Sequence, residues 1–326
     1  MRNAIDVARR TRVVPPPAVR PVIALVFEGL SEDQKQLPSM LLFDAEGSRL
    51  FERVCEQPEY YLRRVETSLL RRHAAEICAL VGPQAAIVEY GAGAGTQGAL
   101  LLDAVTSAHS YVPIDIDASQ LVRARTTIRA RRQALRVYPL HQDIRQYVAL
   151  PAGIAGARRR VAFLPGSGVG AYRQLEAVAM LNSVRETMGP DGALLVGIDL
   201  LQDSTVHERA CNDAAGAMAA FNRHVLARLN REIDATFDPE AFEHCAVWNE
   251  DDHRIEMGLV STQVQSPTIA GIGVAFGAGE KIVTSCAHKF TLDGFASLAR
   301  IAGWTARASW VDEDQRYALQ YLEQAG

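Results

Sequence analysis

Five cysteines stand in the 326 residues, at Cys55, Cys78, Cys211, Cys245 and Cys286, and no two of them form a CxxC pair. An odd count at wide spacing excludes a disulfide framework and reads as small apolar residues in a reducing cytoplasm. No apolar run approaches the roughly 20 residues that span a bilayer. No apolar core follows Arg2, Arg9 and Arg10 either, so neither a membrane anchor nor a secretion signal is expected. Basic excess is missing as well. The 34 Lys and Arg against 38 Asp and Glu give a formal net charge of −4, the wrong balance for a general nucleic-acid binder. The arginines between Arg123 and Arg136 read as a solvated helix face. There is no internal repeat and no His/Cys cluster at metal-ligand spacing. What remains is an ordinary globular composition, 48% hydrophobic and 22% charged, with a core large enough to need no staple. A small molecule is the partner such a chain is expected to meet.

Residues 1–20, ending in PPPAVRP, read as an extended arm. Residues 21–63 read as short helices and loops. One long amphipathic helix is expected over Val65–Val81, from the spacing of Leu69, Leu70, Ala74 and Ile77. From Ala85 strand and helix alternate: AAIVEYGAGAG, GALLLDAVTSA, SYVPIDIDA, ASQLVRARTTIRARR, ALRVYPLHQDI, RRVAFLPGSGVG, LEAVAMLNSVRETM, GALLVGIDLL. That order predicts an α/β fold with a mostly parallel, doubly wound sheet. The alternation stops near Leu201. Residues 202–234 read as long helices and residues 253–289 as antiparallel strands. A helix, a strand and a last strand then complete the sheet. The chain thus divides into a catalytic domain over 64–200 and 291–326 and an accessory lobe over 21–63 and 201–290.

In EYGAGAG, Glu89 and Tyr90 close a strand, and Gly91, Gly93 and Gly95 follow. Glycines let the backbone approach a ligand closely, and the next helix aims free N–H groups at the same place. Dinucleotide enzymes use similar turns, so the context decides. Asp115 ends the second strand, where an acid accepts from ribose hydroxyls. Asp143 follows the third strand, placed to accept from an adenine amino group, with Ile144 against the ring. A fourth strand ends in FLPGSG. This is the layout of a seven-stranded, Rossmann-like class I methyltransferase, with S-adenosylmethionine as donor and S-adenosylhomocysteine as product.

The chain also resembles the histidine-specific methyltransferase family, whose best known member trimethylates histidine for ergothioneine synthesis. The resemblance is carried by FDAEGSRLFERVCEQPEYYLRRVE, EYGAGAG, PIDID, FLPGSGVG, NDAAGAMAAFNRHVLARLNRE, FDPEAFEH, WNEDDHRIEM and HKF, across most of residues 37–326. It implies that Gly91, Gly93, Asp115, Asp143 and Ile144 contact the donor and that Tyr60 lines the acceptor pocket. A lysine that the family often carries after the glycines is replaced by Gly98. Four polar anchors for histidine are replaced too. Ala171 stands for an asparagine, Cys211 for a tyrosine, and Ser285 and Ala287 for a glutamate and a serine. Phe43 replaces another tyrosine.

Loss of a carboxylate anchor together with an imidazole anchor removes the basis for tight histidine binding. Similarity to relatives that methylate prenylated tryptophan, or indole C3 on the way to pyrroloindolines, points to a small aromatic, indole-type acceptor of secondary metabolism. Methyl transfer is an in-line displacement that needs no metal, with reacting atoms about 3–3.5 Å apart. Tyr60 and His288 are the expected catalytic residues, with His244, His141 and Glu256 as further candidate bases. Tyr60, Tyr61 and Phe43 supply an aromatic wall, while Trp248 and Met257 read as lobe core. Two other readings stay open. One is an amino-acid Nα-methyltransferase with Arg63 as a relocated carboxylate anchor. The other is a catalytically silent module that binds the donor.

Overall fold

The computed structural model describes residues 20–325. The expected N-terminal arm lies outside the described residues, apart from Arg20, which opens the first helix. Four helices come first: α1 (Arg20–Leu30), α2 (Ala45–Cys55), α3 (Leu62–Arg72) and α4 (Ala74–Val81). The single helix expected over 65–81 is therefore two. His73, at φ −104° and ψ +18°, breaks it.

Strand and helix then alternate through β1 (Ala85–Tyr90), α5 (Thr96–Ala104), β2 (Ser110–Asp115), α6 (Ala118–Arg131), β3 (Arg136–Val137), β4 (Leu140–His141), β5 (Arg159–Leu164), α7 (Gln174–Met188) and β6 (Ala193–Asp199). Helices α8 (Ser204–Ala210) and α9 (Ala217–Glu232) follow. Next come β7 (Phe242–Asn249), β8 (Arg254–Ser261), β9 (Thr268–Ile269), β10 (Ile272–Gly273) and β11 (Lys281–His288). The chain ends in α10 (Leu292–Ile301), β12 (Trp304–Val311) and β13 (Tyr317–Gln324).

The large sheet runs β12-β13-β6-β5-β1-β2-β3, with β4 also paired to β2. Seven positions are filled, and the third strand is split into β3 and β4. Pro139 lies between the two pieces and has no N–H to give the ladder. Pairing is parallel from β6 to β3 and antiparallel at β13 and β12. Strands β1 and β6 are buried along their whole length, as expected for strands covered on both faces. Strand order reverses between β1 and β5, so a crevice opens at their carboxyl ends.

One apolar core fills each face of this sheet. A third core joins residues from both ends of the accessory segments. Val26, Leu41, Leu42 and Val54 pack with Met218, Phe221, Val225, Ile255, Leu259 and Ile282. The small sheet there has the order β11-β8-β7, antiparallel throughout. It starts one strand earlier than the sequence pattern predicts, because the polar residues of FEHCAVWN conceal the alternation of β7. Met257 belongs to this core and Trp248 packs against it.

Candidate active site

The glycine turn after β1 is open. Gly91 and Gly93 have φ of +72° and +50°, and a Cβ on either would meet nothing within 4 Å. These are conformations that side-chain-bearing residues rarely adopt, and the space above them is free for a ligand. Asp115 is set at the tip of β2. Its carboxylate accepts from Gly93 N at 2.8 Å and from Asp117 N at 2.9 Å. Each oxygen keeps a lone pair for a further donor. Asp143 and Ile144 lie half-buried beyond β4. The Asp143 carboxylate is already engaged by Arg145, with Nη2 2.6 Å away. Burial opposes its charge, but Arg145 outweighs that and holds the carboxyl below the usual range. An open glycine cradle beside a fixed carboxylate fits the adenosine and sulfonium parts of S-adenosylmethionine.

Gly98 does not face this crevice. A Cβ there would lie 2.1 Å from Glu89 Oε2 and 2.5 Å from Tyr111 Oη, so no lysine could occupy this position in the present packing. The side chain of this turn that reaches the neighbouring loops is Gln97.

Gln97 donates to Glu66, a fully buried carboxylate on α3. Glu66 also accepts from Gly166 N at 3.0 Å and from Tyr317 Oη at 2.7 Å. Burial raises its affinity for a proton, against these three hydrogen bonds. Glu66 thereby ties α3 to the loops after β1 and β5, the two walls of the crevice. A second buried acid, Asp199 at the end of β6, accepts from Tyr61 Oη and Lys289 Nζ, each at 2.5 Å. Its own amide donates to Ser167 Oγ at 2.9 Å. This centre joins the large sheet to the end of β11 and to the chain before α3. None of Glu66, Gln97, Asp199, Ser167, Lys289 and Tyr317 was a sequence candidate. A signal was present in two cases: Asp199 is an acid closing a buried strand, and Lys289 is the cation of HKF.

Tyr60 stands just before α3. Its ring meets Phe51 at 5.8 Å, and Phe51 meets Phe43 at 5.6 Å and Phe221 at 5.3 Å. Phe43 and Phe221 are 5.4 Å apart, which closes an aromatic cluster. Phe51 and Phe221 are further residues that sequence reasoning missed. The Tyr60 hydroxyl has no hydrogen-bond partner among the described residues. Burial, followed by the nearby thiols Cys55 and Cys211, pushes its pKa well above the usual value. Cys211 is buried at the end of α8, and burial pushes its thiol up to about 11. Ser285 pairs with Met257 and Ala287 with Ile255. Met257 and Ile255 belong to the same core as Phe221, so these two positions lie on the sheet face toward the aromatic cluster. Ala171 ends a 3-10 turn (Gly168–Ala171) and is exposed at the rim.

The candidate bases fare differently. His288 pairs with Arg254, and Cys286 with Glu256. Strand alternation therefore puts His288 on the opposite face from Ser285 and Ala287. Its Nδ1 is 2.9 Å from the Gly170 carbonyl. This corrects the expectation that His288 joins Tyr60 at the reacting centre. Glu256 shares that outer face with Arg254 and Lys281, at 2.7 and 3.0 Å. Burial opposes its charge, but its hydrogen bonds prevail and hold it at about 2, too acidic for a base. His244 has both ring nitrogens engaged, Nδ1 with Asn222 Nδ2 at 2.9 Å and Nε2 with the Cys211 carbonyl at 2.8 Å. His141 is exposed beside the donor end, 2.9 Å from the Ile116 carbonyl. Tyr61 serves Asp199 and is not part of the wall. Arg63 is half-buried on the first turn of α3.

Residues 22–324 match the family described as histidine-specific methyltransferase, SAM-dependent. A histidine N-alpha-methyltransferase from Mycolicibacterium smegmatis is 37% identical over 299 residues, covering 90% of this chain and 92% of that protein. One from Mycobacterium tuberculosis is 34% identical, with coverage of 90% and 92%. More distantly, a 4-dimethylallyltryptophan N-methyltransferase from Epichloe festucae var. lolii is 22% identical, covering 93% of this chain and 94% of that one. With the glycine cradle and strand order in place, this chain belongs to the histidine-specific family of S-adenosylmethionine-dependent methyltransferases and is an enzyme of the class I fold.

Proposed function

We propose that this methyltransferase acts on a small aromatic acceptor of indole size rather than on free histidine. One observation carries the reading. Where the family resemblance places the grips for histidine, this chain presents Ala171, Cys211, Ser285 and Ala287, and Phe43, in place of a further tyrosine, joins the Phe51–Phe221–Tyr60 cluster. Such a wall favours a flat apolar ring and offers no carboxylate to an imidazole. The lobe of residues 21–63 and 201–290 supplies this wall, and the domain of 64–200 and 291–326 supplies Gly91, Gly93, Asp115, Asp143 and Ile144 for the donor. When bound, the donor supplies an electrophilic methyl on sulfur. Tyr60, kept neutral by burial, orients the acceptor by hydrogen bonding, and the rings exclude water from it. Deprotonation is left to solvent or to the substrate itself.

An acceptor nitrogen is one outcome and indole C3, giving a pyrroloindoline, is another. Methylation of an amino-acid Nα is the second reading, supported by the names of the relatives. The reading as a silent donor-binding module is set aside, because the chain belongs to a family of enzymes. The test is a mass-spectrometric screen of the purified protein with donor and a panel of histidine, tryptophan, tryptamine and serotonin-like acceptors. A +14 product on an indole is expected. Turnover of histidine alone would contradict the proposal.

A further inference from the structure

Arg63 is half-buried, and its guanidinium makes neither an ion pair nor a hydrogen bond among the described residues. Its neighbour Arg64 is fully occupied, donating to the carbonyls of Gln57, Pro58 and Tyr60. Arg63 also lies in the first turn of α3, which has no acidic residue. A cation in the first turn of a helix faces the positive end of the helix dipole, and an anion that joins it there relieves the repulsion.

Its position defines that anion. Glu66 lies one turn further along the same face of α3 and touches Gln97 and the Gly166 amide. Tyr60 lies three residues before Arg63 on the chain that leads into α3. Arg63 thus sits between the aromatic cluster and the two loops that wall the donor crevice. Four other cations near the site are already paired. Lys289 serves Asp199, Arg145 serves Asp143, and Arg254 and Lys281 serve Glu256. Position 98 has no room for a side chain.

We propose that Arg63 binds the carboxylate of the donor's methionyl group, a positioning role supplied from α3 rather than from the glycine turn. The proposal rests on donor use, which family membership carries. The experiment is calorimetric titration with S-adenosylhomocysteine and with its decarboxylated analogue, S-adenosyl-3-thiopropylamine. Wild type, Arg63→Gln and Arg63→Lys are compared. Loss of a charge-assisted hydrogen bond predicts that Arg63→Gln weakens S-adenosylhomocysteine by about 10-fold or more. The decarboxylated analogue is then unaffected, and Arg63→Lys falls between. Unchanged S-adenosylhomocysteine affinity in Arg63→Gln would overturn the proposal, as would equal weakening of both ligands. If affinity is unchanged and only the KM for tryptophan, not tryptamine, rises, Arg63 belongs to the acceptor instead. No binding of S-adenosylhomocysteine to wild type would overturn donor use itself, a result distinct from all of these.

Discussion

Tyr60 combines an apolar ring held by Phe51 with a hydroxyl that no group among the described residues satisfies. Its removal should therefore spare the fold and cost chemistry. Tyr60→Phe is expected to lower kcat/KM by about 10- to 100-fold, as for the loss of one hydrogen bond that orients the acceptor. S-adenosylhomocysteine affinity should stay unchanged in a binding titration. A drop in donor affinity instead would place Tyr60 on the wrong half of the site. The acceptor side is equally open to test at Ser285 and Ala287. Restoring the polar pair that the family resemblance implies, in Ser285→Glu/Ala287→Ser, should raise histidine affinity by at least about 10-fold. Indole turnover should fall in the same protein. The shape of the donor crevice was legible residue by residue, because the open turn at Gly91 and Gly93 and the carboxylate of Asp115 at a strand end follow from backbone freedom and strand pattern. His288 was misread because proximity in sequence to Ser285 and Ala287 does not give strand facing. That depends on the register with β8, which only the paired Arg254 and Ile255 reveal.

Helix α3 and the ends of β6 and β11 hold the two halves together. Lys289 and Asp199 are 5% and 1% exposed, and their contact joins β11 to the large sheet. Lys289→Met leaves a buried carboxylate without its cation and should destabilise by about 3–5 kcal/mol, read in denaturant unfolding. A loss below about 1 kcal/mol would mean that Asp199 is hydrated rather than buried. Gly98 makes a comparable demand on α5. Gly98→Ala forces a methyl against Glu89 and Tyr111 and should cost about 1–3 kcal/mol by overpacking. The parallel strands were legible because buried apolar runs between turn signals identify them. The break at His73, the split at Pro139 and strand β7 were not, since each depends on what packs against a locally ambiguous segment. The ties through Glu66 and Asp199 join residues from 31 to 251 positions apart, and pattern reading along the chain does not reach them.

At the scale of the molecule, buried acids set the pH response. Burial is the main cause that pushes Glu89 up to about 8, with the Tyr111 hydrogen bond opposing it. The native state then keeps a proton that the unfolded chain sheds near the ordinary carboxyl value. Stability contributed by this group is complete below that value and is lost as pH rises through about 8. Glu89→Gln should unfold at nearly the wild-type midpoint in acid and at a higher midpoint near pH 8. A constant difference across that window would show that Glu89 ionises normally. Beyond stability, the proposed function pairs a donor crevice of the family's kind with an acceptor wall that lacks grips for histidine. The most direct measurement of that pairing is a competition. Equimolar histidine and tryptamine are offered in one vessel with isotopically labelled donor, and both methylated products are counted. The account predicts label on the indole compound in large excess. Label accumulating first on histidine, through to the trimethylated form, would contradict it.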